Sequence, residues 1–304
     1  MAQIEHHRVS TNGIELHVAQ TGPLDGPLAL LLHGFPESWR AWQAQIQNLV
    51  DMGYRVWLPD QRGYNTSDKP REVNAYGIEL LCADIAGLIE QSGRERITLM
   101  GHDWGGVVAW SLAAIRPDLI ERVVIVNAPH LSAMRKALRS NLDQIARSWY
   151  AAFFQLPALP EYLLSLCDFR ALRLALNRTS RRGTFDRLMP DYVDTWRQPG
   201  ALTAMLNWYR ALMREPTNSA IGKQVPVPLL LLWGARDFSL TRAVAEESMQ
   251  CCENGRLVYI ESAGHWVLHE TPEEVNEQIV AFLLEGPGEI RVGAHNRYFA
   301  APVA

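Results

Sequence analysis

The chain has 304 residues, 48% hydrophobic and 20% charged, which is the composition of a folded globular protein and excludes a disordered or fibrous one. Its 33 acidic and 29 basic side chains leave a formal charge of -4, so no basic excess points to a nucleic-acid partner. Four scattered cysteines, Cys82, Cys167, Cys251 and Cys252, are too few for a disulfide framework or a zinc site and read as reduced. The polar residues 1–13 lack the basic start and apolar centre of a secretory signal, and no later run approaches the roughly 18 apolar residues of a spanning helix. The expectation is a soluble cytoplasmic protein with no membrane partner, monomeric or homodimeric.

Six short runs are apolar throughout or nearly so, as strands covered on both faces must be: Leu28–Leu32, Tyr54–Leu58, Ile97–Met100, Arg122–Val126, Pro228–Leu232 and Leu257–Ile260. Between them lie amphipathic stretches predicted as helices, Trp39–Asp51, Tyr76–Gln91, Gly105–Arg116, Arg242–Cys251 and Thr271–Leu284. The alternation predicts an α/β fold with a mostly parallel sheet flanked by helices. From residue 130 to 224 the strand-like runs vanish and Leu, Ala, Arg, Trp and Tyr recur at helical spacing, so this segment reads as an inserted helical domain. The core is then residues 1–129 and 225–288, with 289–304 a tail of no assigned role. Arginines 135, 139, 147, 170, 173, 178, 181, 182 and 187 crowd the insertion and read as a solvated helix surface.

Chemistry concentrates at three predicted strand ends. Ile97–Met100 runs into Gly101-His102-Asp103-Trp104-Gly105-Gly106 and then an apolar helix, the strand, sharp turn and helix of a nucleophile elbow, with Asp103 at its tip. Alone, Asp103 could equally cap the helix that follows. Asp237 stands just after the strand ending at Leu232, and His265 just after the strand ending at Ile260. Each has an ordinary reading, a loop turn for Asp237 and a surface histidine for His265. Their occurrence together, in order, at the ends of parallel strands argues for one site. His269 is a rival base without the strand-end position. No metal-ligand spacing, Walker loop or dinucleotide fingerprint is present, so no cofactor or metal is expected.

In these segments, and in His33-Gly34-Phe35-Pro36-Glu37-Ser38-Trp39, Asp60-Gln61-Arg62-Gly63-Tyr64, Asn207-Trp208-Tyr209-Arg210 and Gly264-His265-Trp266, the chain resembles the epoxide hydrolase branch of the α/β-hydrolases from about residue 5 to 285. The resemblance implies the α/β-hydrolase fold with a helical cap, Asp103 as nucleophile, His265 as base, Asp237 as its orienting acid, and Tyr150 and Tyr209 as cap acids. It also implies backbone N–H donors at Phe35 and Trp104 for an oxyanion, a pocket of Trp104, Phe35, Pro36 and Trp266, and a small lipophilic epoxide with water as substrates.

The residues themselves narrow the chemistry. A serine attacking saturated carbon would leave an ether, whereas an aspartate leaves an ester that activated water can cleave. An electrophilic sp3 carbon with a leaving group is implied, hence an epoxide or an organic halide. A departing alkoxide needs a proton or strong hydrogen bond, which phenols supply; a halide needs only N–H donors such as the Trp104 indole. Tyr150 and Tyr209 favour the epoxide, though both could simply pack within the insertion. A haloalkane or haloacid dehalogenase with the same triad, and a non-catalytic binding protein on this fold, remain the alternatives.

Overall fold

The computed structural model describes residues 3–214, 220, 222–285 and 296–300. Among the described residues nine strands form one sheet: β1 (Glu5–Thr11), β2 (Ile14–Thr21), β3 (Leu28–Leu32), β4 (Arg55–Pro59), β5 (Ile97–His102), β6 (Ile120–Val126), β7 (Leu229–Gly234), β8 (Asn254–Ile260) and β9 (Asn296–Ala300), in the order β1-β2-β4-β3-β5-β6-β7-β8-β9. From β4 across to β8 every neighbouring pair is parallel; β1, β2 and β9 run antiparallel to their neighbours. The helices of the two flanking layers are α1 (Ile46–Asp51), α2 (Ile78–Gln91), α3 (Trp104–Ile115), α10 (Arg242–Met249), α11 (Val267–Glu270) and α12 (Pro272–Leu284). Between β6 and β7 lie α4 (Leu131–Ser140), α5 (Leu142–Arg147), α6 (Trp149–Phe153), α7 (Leu159–Thr179), α8 (Met189–Trp196) and α9 (Ala201–Arg214).

The apolar runs are continuous because both sheet faces are covered. Leu28, Leu30, Leu99, Val123, Ile125, Leu229 and Leu231 pack into a core shared with α2 and α3, while Ala29, Leu31, Met100, Val124, Leu230 and Leu232 point the other way, onto α1 and α12. Successive side chains of a strand alternate between faces, so each run must be apolar at every position. No helix among the described residues is long and apolar enough to cross a membrane. The four cysteines are free thiols.

Three differences from the sequence reading have physical causes. β1 and β2 went unpredicted because their residues are mixed in polarity: β1 is the sheet edge and mostly exposed, so it needs no apolar run. Its signal is the turn, where Asn12 and Gly13 both take positive φ (45° and 76°), the two-residue hairpin conformation that Asn-Gly favours. The helix predicted over 39–51 is divided into a single 3-10 turn, Trp39–Trp42, and α1. Tertiary bonds hold that division, since the Trp39 N–H donates to Asp60 Oδ1, the Trp42 indole to Leu32 O, and the Gln45 side chain to Leu268 O. Within the tail, residues 296–300 extend the sheet as β9; 286–295 and 301–304 lie outside the described residues, as do 1–2, 215–219 and 221.

Candidate active site

β5 and α3 meet at Asp103, whose φ of 49° and ψ of -121° form the tight turn. The turn closes only because its flanks lack side chains: a Cβ on Gly101 would strike the Gly105 backbone, and one on Gly105 would strike Leu32 O. Asp103 occupies the N-cap position of α3, yet its carboxylate makes no capping bond. Oδ1 instead accepts the Phe35 N–H at 2.8 Å, across the gap between the ends of β3 and β5. That geometry disfavours the helix-cap reading. Trp104 opens α3, and a first-turn amide has no carbonyl one turn back to satisfy it. The Phe35 amide thus points at the Asp103 carboxylate from the end of β3. The Phe35–Pro36 peptide bond is cis.

The structure brings His265 and Asp237 to the same place. His265 Nε2 lies 3.6 Å from Asp103 Oδ2, and its Nδ1 donates to Asp237 Oδ2 at 2.7 Å. Asp237 is held from every side: Asn127 Nδ2 donates to Oδ2, while the Ser239 N–H and hydroxyl and the Leu240 N–H donate to Oδ1. Burial alone would raise the Asp237 pKa, but His265, Asn127 and the Ser239 amide hold it below the ordinary carboxylate value. Burial likewise opposes charge on His265, and there too the carboxylates prevail: Asp237, then Asp103 and Glu37, push the imidazole up to about 9. The surroundings of His265 thus favour the protonated imidazole.

From the insertion, α6 and α9 lower Tyr150 and Tyr209 over this group. Their rings are edge to face at 6.0 Å, and the Tyr209 ring also meets Phe35 at 5.4 Å, Trp104 at 4.9 Å and Phe154 at 5.0 Å. Burial, followed by the Asp103 charge, raises both phenols well above their ordinary value, so both keep their protons. Trp266 is a separate case: it packs edge-on against His265 at 4.8 Å and on Phe185 at 5.3 Å, and its indole donates to Thr179 Oγ1. Its other ring neighbours are His102 at 6.0 Å and Phe238 at 6.5 Å.

Several contributors escaped the sequence reading. Asn127 has positive φ (41°) at the end of β6, and its amide ties Asp237 to the Gly234 N–H; a polar residue at the end of an apolar strand was the available signal. Glu37 is a buried carboxylate bonded to His102 Nδ1 at 3.0 Å, His269 Nε2 at 2.6 Å and the Tyr192 hydroxyl at 3.0 Å. Burial would raise Glu37, but His269 and His102 hold its carboxyl far below the usual range. His269 is thereby committed to Glu37, and His102 links that pair to His265 O at 3.0 Å. Among the arginines of the insertion, Arg147 is half-buried and donates to Asp237 O, whereas Arg181 is exposed and donates to Ser262 O at the surface. Among the described residues no group of three or more His, Cys, Asp or Glu is arranged to hold a metal ion.

An aspartate on a strand-to-helix elbow, a histidine and an acid at later strand ends, and a helical insertion above a mostly parallel sheet define a class. Residues 27–272 match the α/β hydrolase fold family, and the chain belongs to it. It is similar to the AB hydrolase superfamily protein YfhM of Bacillus subtilis, 46% identical over 276 residues that span 90% of this chain and 96% of the relative. Epoxide hydrolase 3 of Mus musculus is 37% identical over 282 residues, 90% of this chain and 75% of the relative. Among solved structures, the epoxide hydrolase of Bacillus megaterium in complex with an inhibitor matches with a TM-score of 0.84 at 28% identity, covering 92% of this chain and 100% of that one.

Proposed function

We propose that this protein is an epoxide hydrolase that adds water to a small or medium lipophilic epoxide, giving a vicinal diol through an alkyl-enzyme ester on Asp103. The observation that carries the reading is the pairing of an aspartate at the elbow with two protonated tyrosines under its electrostatic influence. In the first step an Asp103 oxygen bonds to an epoxide carbon as the carbon–oxygen bond breaks, and the departing oxygen takes a proton from Tyr150 or Tyr209. The phenolate so formed is reprotonated at the expense of the His265 imidazolium, which leaves the imidazole neutral. In the second step water attacks the ester carbon and gives a proton to His265; the oxyanion rests on the Phe35 and Trp104 amides until the ester carbon–oxygen bond breaks, the diol oxygen takes the proton back from His265, and the carboxylic acid of Asp103 gives its proton to His265, restoring carboxylate and imidazolium. The inserted helices α4 to α9 act as the cap that carries the tyrosines.

The raised His265 pKa fits this order. An imidazolium cannot accept a proton, so it cannot act until its pKa falls. Alkylation turns Asp103 from an anion into a neutral ester, which removes one of the charges that hold His265 up. The base is released only when there is an ester to cleave.

Incubation with styrene oxide and, separately, with 1-chlorobutane tests the reading. Diol from the first without chloride from the second is expected. Chloride without diol would select a dehalogenase, and neither product would select a binding protein.

The tyrosines are tested by substitution. Tyr150→Phe and Tyr209→Phe should each retain partial activity because the other phenol remains, whereas the double variant should lose roughly 10²- to 10⁴-fold in alkylation rate. Hydrolysis of ester already formed should change little. Full alkylation in the double variant, measured by single-turnover kinetics, would refute the tyrosine role.

A further inference from the structure

Gln144, in α5, is fully buried and has no part in the chemistry described so far. Its side-chain amide is matched to the main chain of the loop that carries Asp237. Nε2 donates to Ser239 O at 2.8 Å and Oε1 accepts the Thr241 N–H at 2.9 Å; Nε2 also donates to Ser148 Oγ at 3.1 Å. The first two bonds bracket Leu240.

Ser239 C=O and Leu240 N–H are opposite ends of one peptide group, which is planar and rigid. Gln144 holds the carbonyl end; the N–H end donates to Asp237 Oδ1 at 2.9 Å, and Asp237 Oδ2 accepts from His265 Nδ1 at 2.7 Å. A continuous chain of hydrogen bonds therefore runs from the insertion through a single peptide plane and the acid to the imidazole. Bonds in such a chain polarise and align one another. Arg147, one turn along, adds a donor to Asp237 O at 2.7 Å.

We infer that Gln144 is a positioning residue for the acid: it fixes the peptide plane that aims Asp237 at His265, so α5 of the insertion acts on water activation while α6 and α9 supply the phenols. The inference rests on the two-step reading above. Docking alone does not need this amide, since an apolar side chain of equal size would fill the space. Such a side chain would, however, leave the Ser239 carbonyl and the Thr241 N–H buried without partners, and a loop re-pairing them would carry the Leu240 N–H away from Asp237.

Gln144→Met removes both bonds at similar volume. Single-turnover kinetics on styrene oxide should show alkylation within about twofold of the parent and ester hydrolysis slowed about tenfold or more, because only the second step uses the aligned base. The pH limb of hydrolysis should also move. The charged groups facing His265 are Asp237, Asp103 and Glu37, with His102 beside it, and in the ester Asp103 is neutral; a loosened Asp237 then supports the imidazolium less, and the limb shifts to lower pH. A purely structural role would slow both steps together, or neither, with the limb unmoved, and that result overturns the inference. Should Gln144→Met fail to fold, Ser148→Ala removes the acceptor that orients Nε2, together with the hydroxyl's bond to Gln144 O, and hydrolysis should slow by about two- to threefold with alkylation unchanged; equal effects on both steps would again overturn it. Diol formation by the parent, measured in the same series, tests the functional reading separately.

Discussion

Asp103→Ala is expected to abolish turnover while the protein stays folded. The substitution removes the atom that bonds to substrate, and losing a covalent nucleophile should cost on the order of 10⁴-fold or more in rate, about 5 kcal/mol of barrier. The structural cost is small by comparison. Alanine must adopt the positive φ of the elbow, a penalty of about 1 kcal/mol, and the Phe35 N–H loses its acceptor at a site that is partly open to solvent. Circular dichroism controls for folding. Diol formation within about tenfold of the parent would eliminate Asp103 as nucleophile.

His265→Gln should separate the two steps. Alkylation needs only Asp103 and a phenol, so the variant should open the epoxide and then stall, and intact mass spectrometry should find the protein plus one substrate mass on the peptide containing Asp103. An inactive variant that binds substrate without forming the adduct would contradict this division of labour. In the parent, hydrolysis requires neutral His265 and should rise with pH. The same histidine links stability to pH: its pKa is raised from an ordinary value near 6.5 to about 9, so its stabilising effect is complete below pH 6.5 and is lost as pH climbs to 9. The stability gap between parent and His265→Gln should narrow across that window in urea titrations.

Much of this was legible in the chain because the relevant signals are local. Leu28–Leu32 and Leu229–Leu232 announce strands covered on both faces, and Gly101 to Gly106 announces a turn too tight for side chains at its flanks. Asp237 and His265 are conspicuous because a strand end in a parallel sheet is a fixed place, and the sheet gathers such places along one edge. The hairpin β1–β2 was hidden for the converse reason: an edge strand buries too little to require an apolar pattern, and only Asn12-Gly13 marked it.

The insertion shows where a local reading stops. Helical spacing identifies helices over 130–224 but carries no information on which loop each helix will meet. Gln144, Tyr192 and Arg181 look like ordinary residues of amphipathic helices, yet they bond to Ser239 O, Glu37 and Ser262 O, each at least 81 positions away in the chain.

By itself, then, the sequence determined the six parallel strands, the elbow and the three strand-end residues, since periodicity, glycine placement and strand ends are properties of neighbouring positions. Only the tertiary structure decided that Asp103 bonds to Phe35 rather than capping α3, that His269 belongs to Glu37, and that Asn127 and Gln144 hold the acid and its loop. Those choices are made among buried and half-buried polar groups. Such a group takes whichever partner the packing of distant elements leaves within about 3 Å, and nothing in the spacing of residues along the chain encodes that distance.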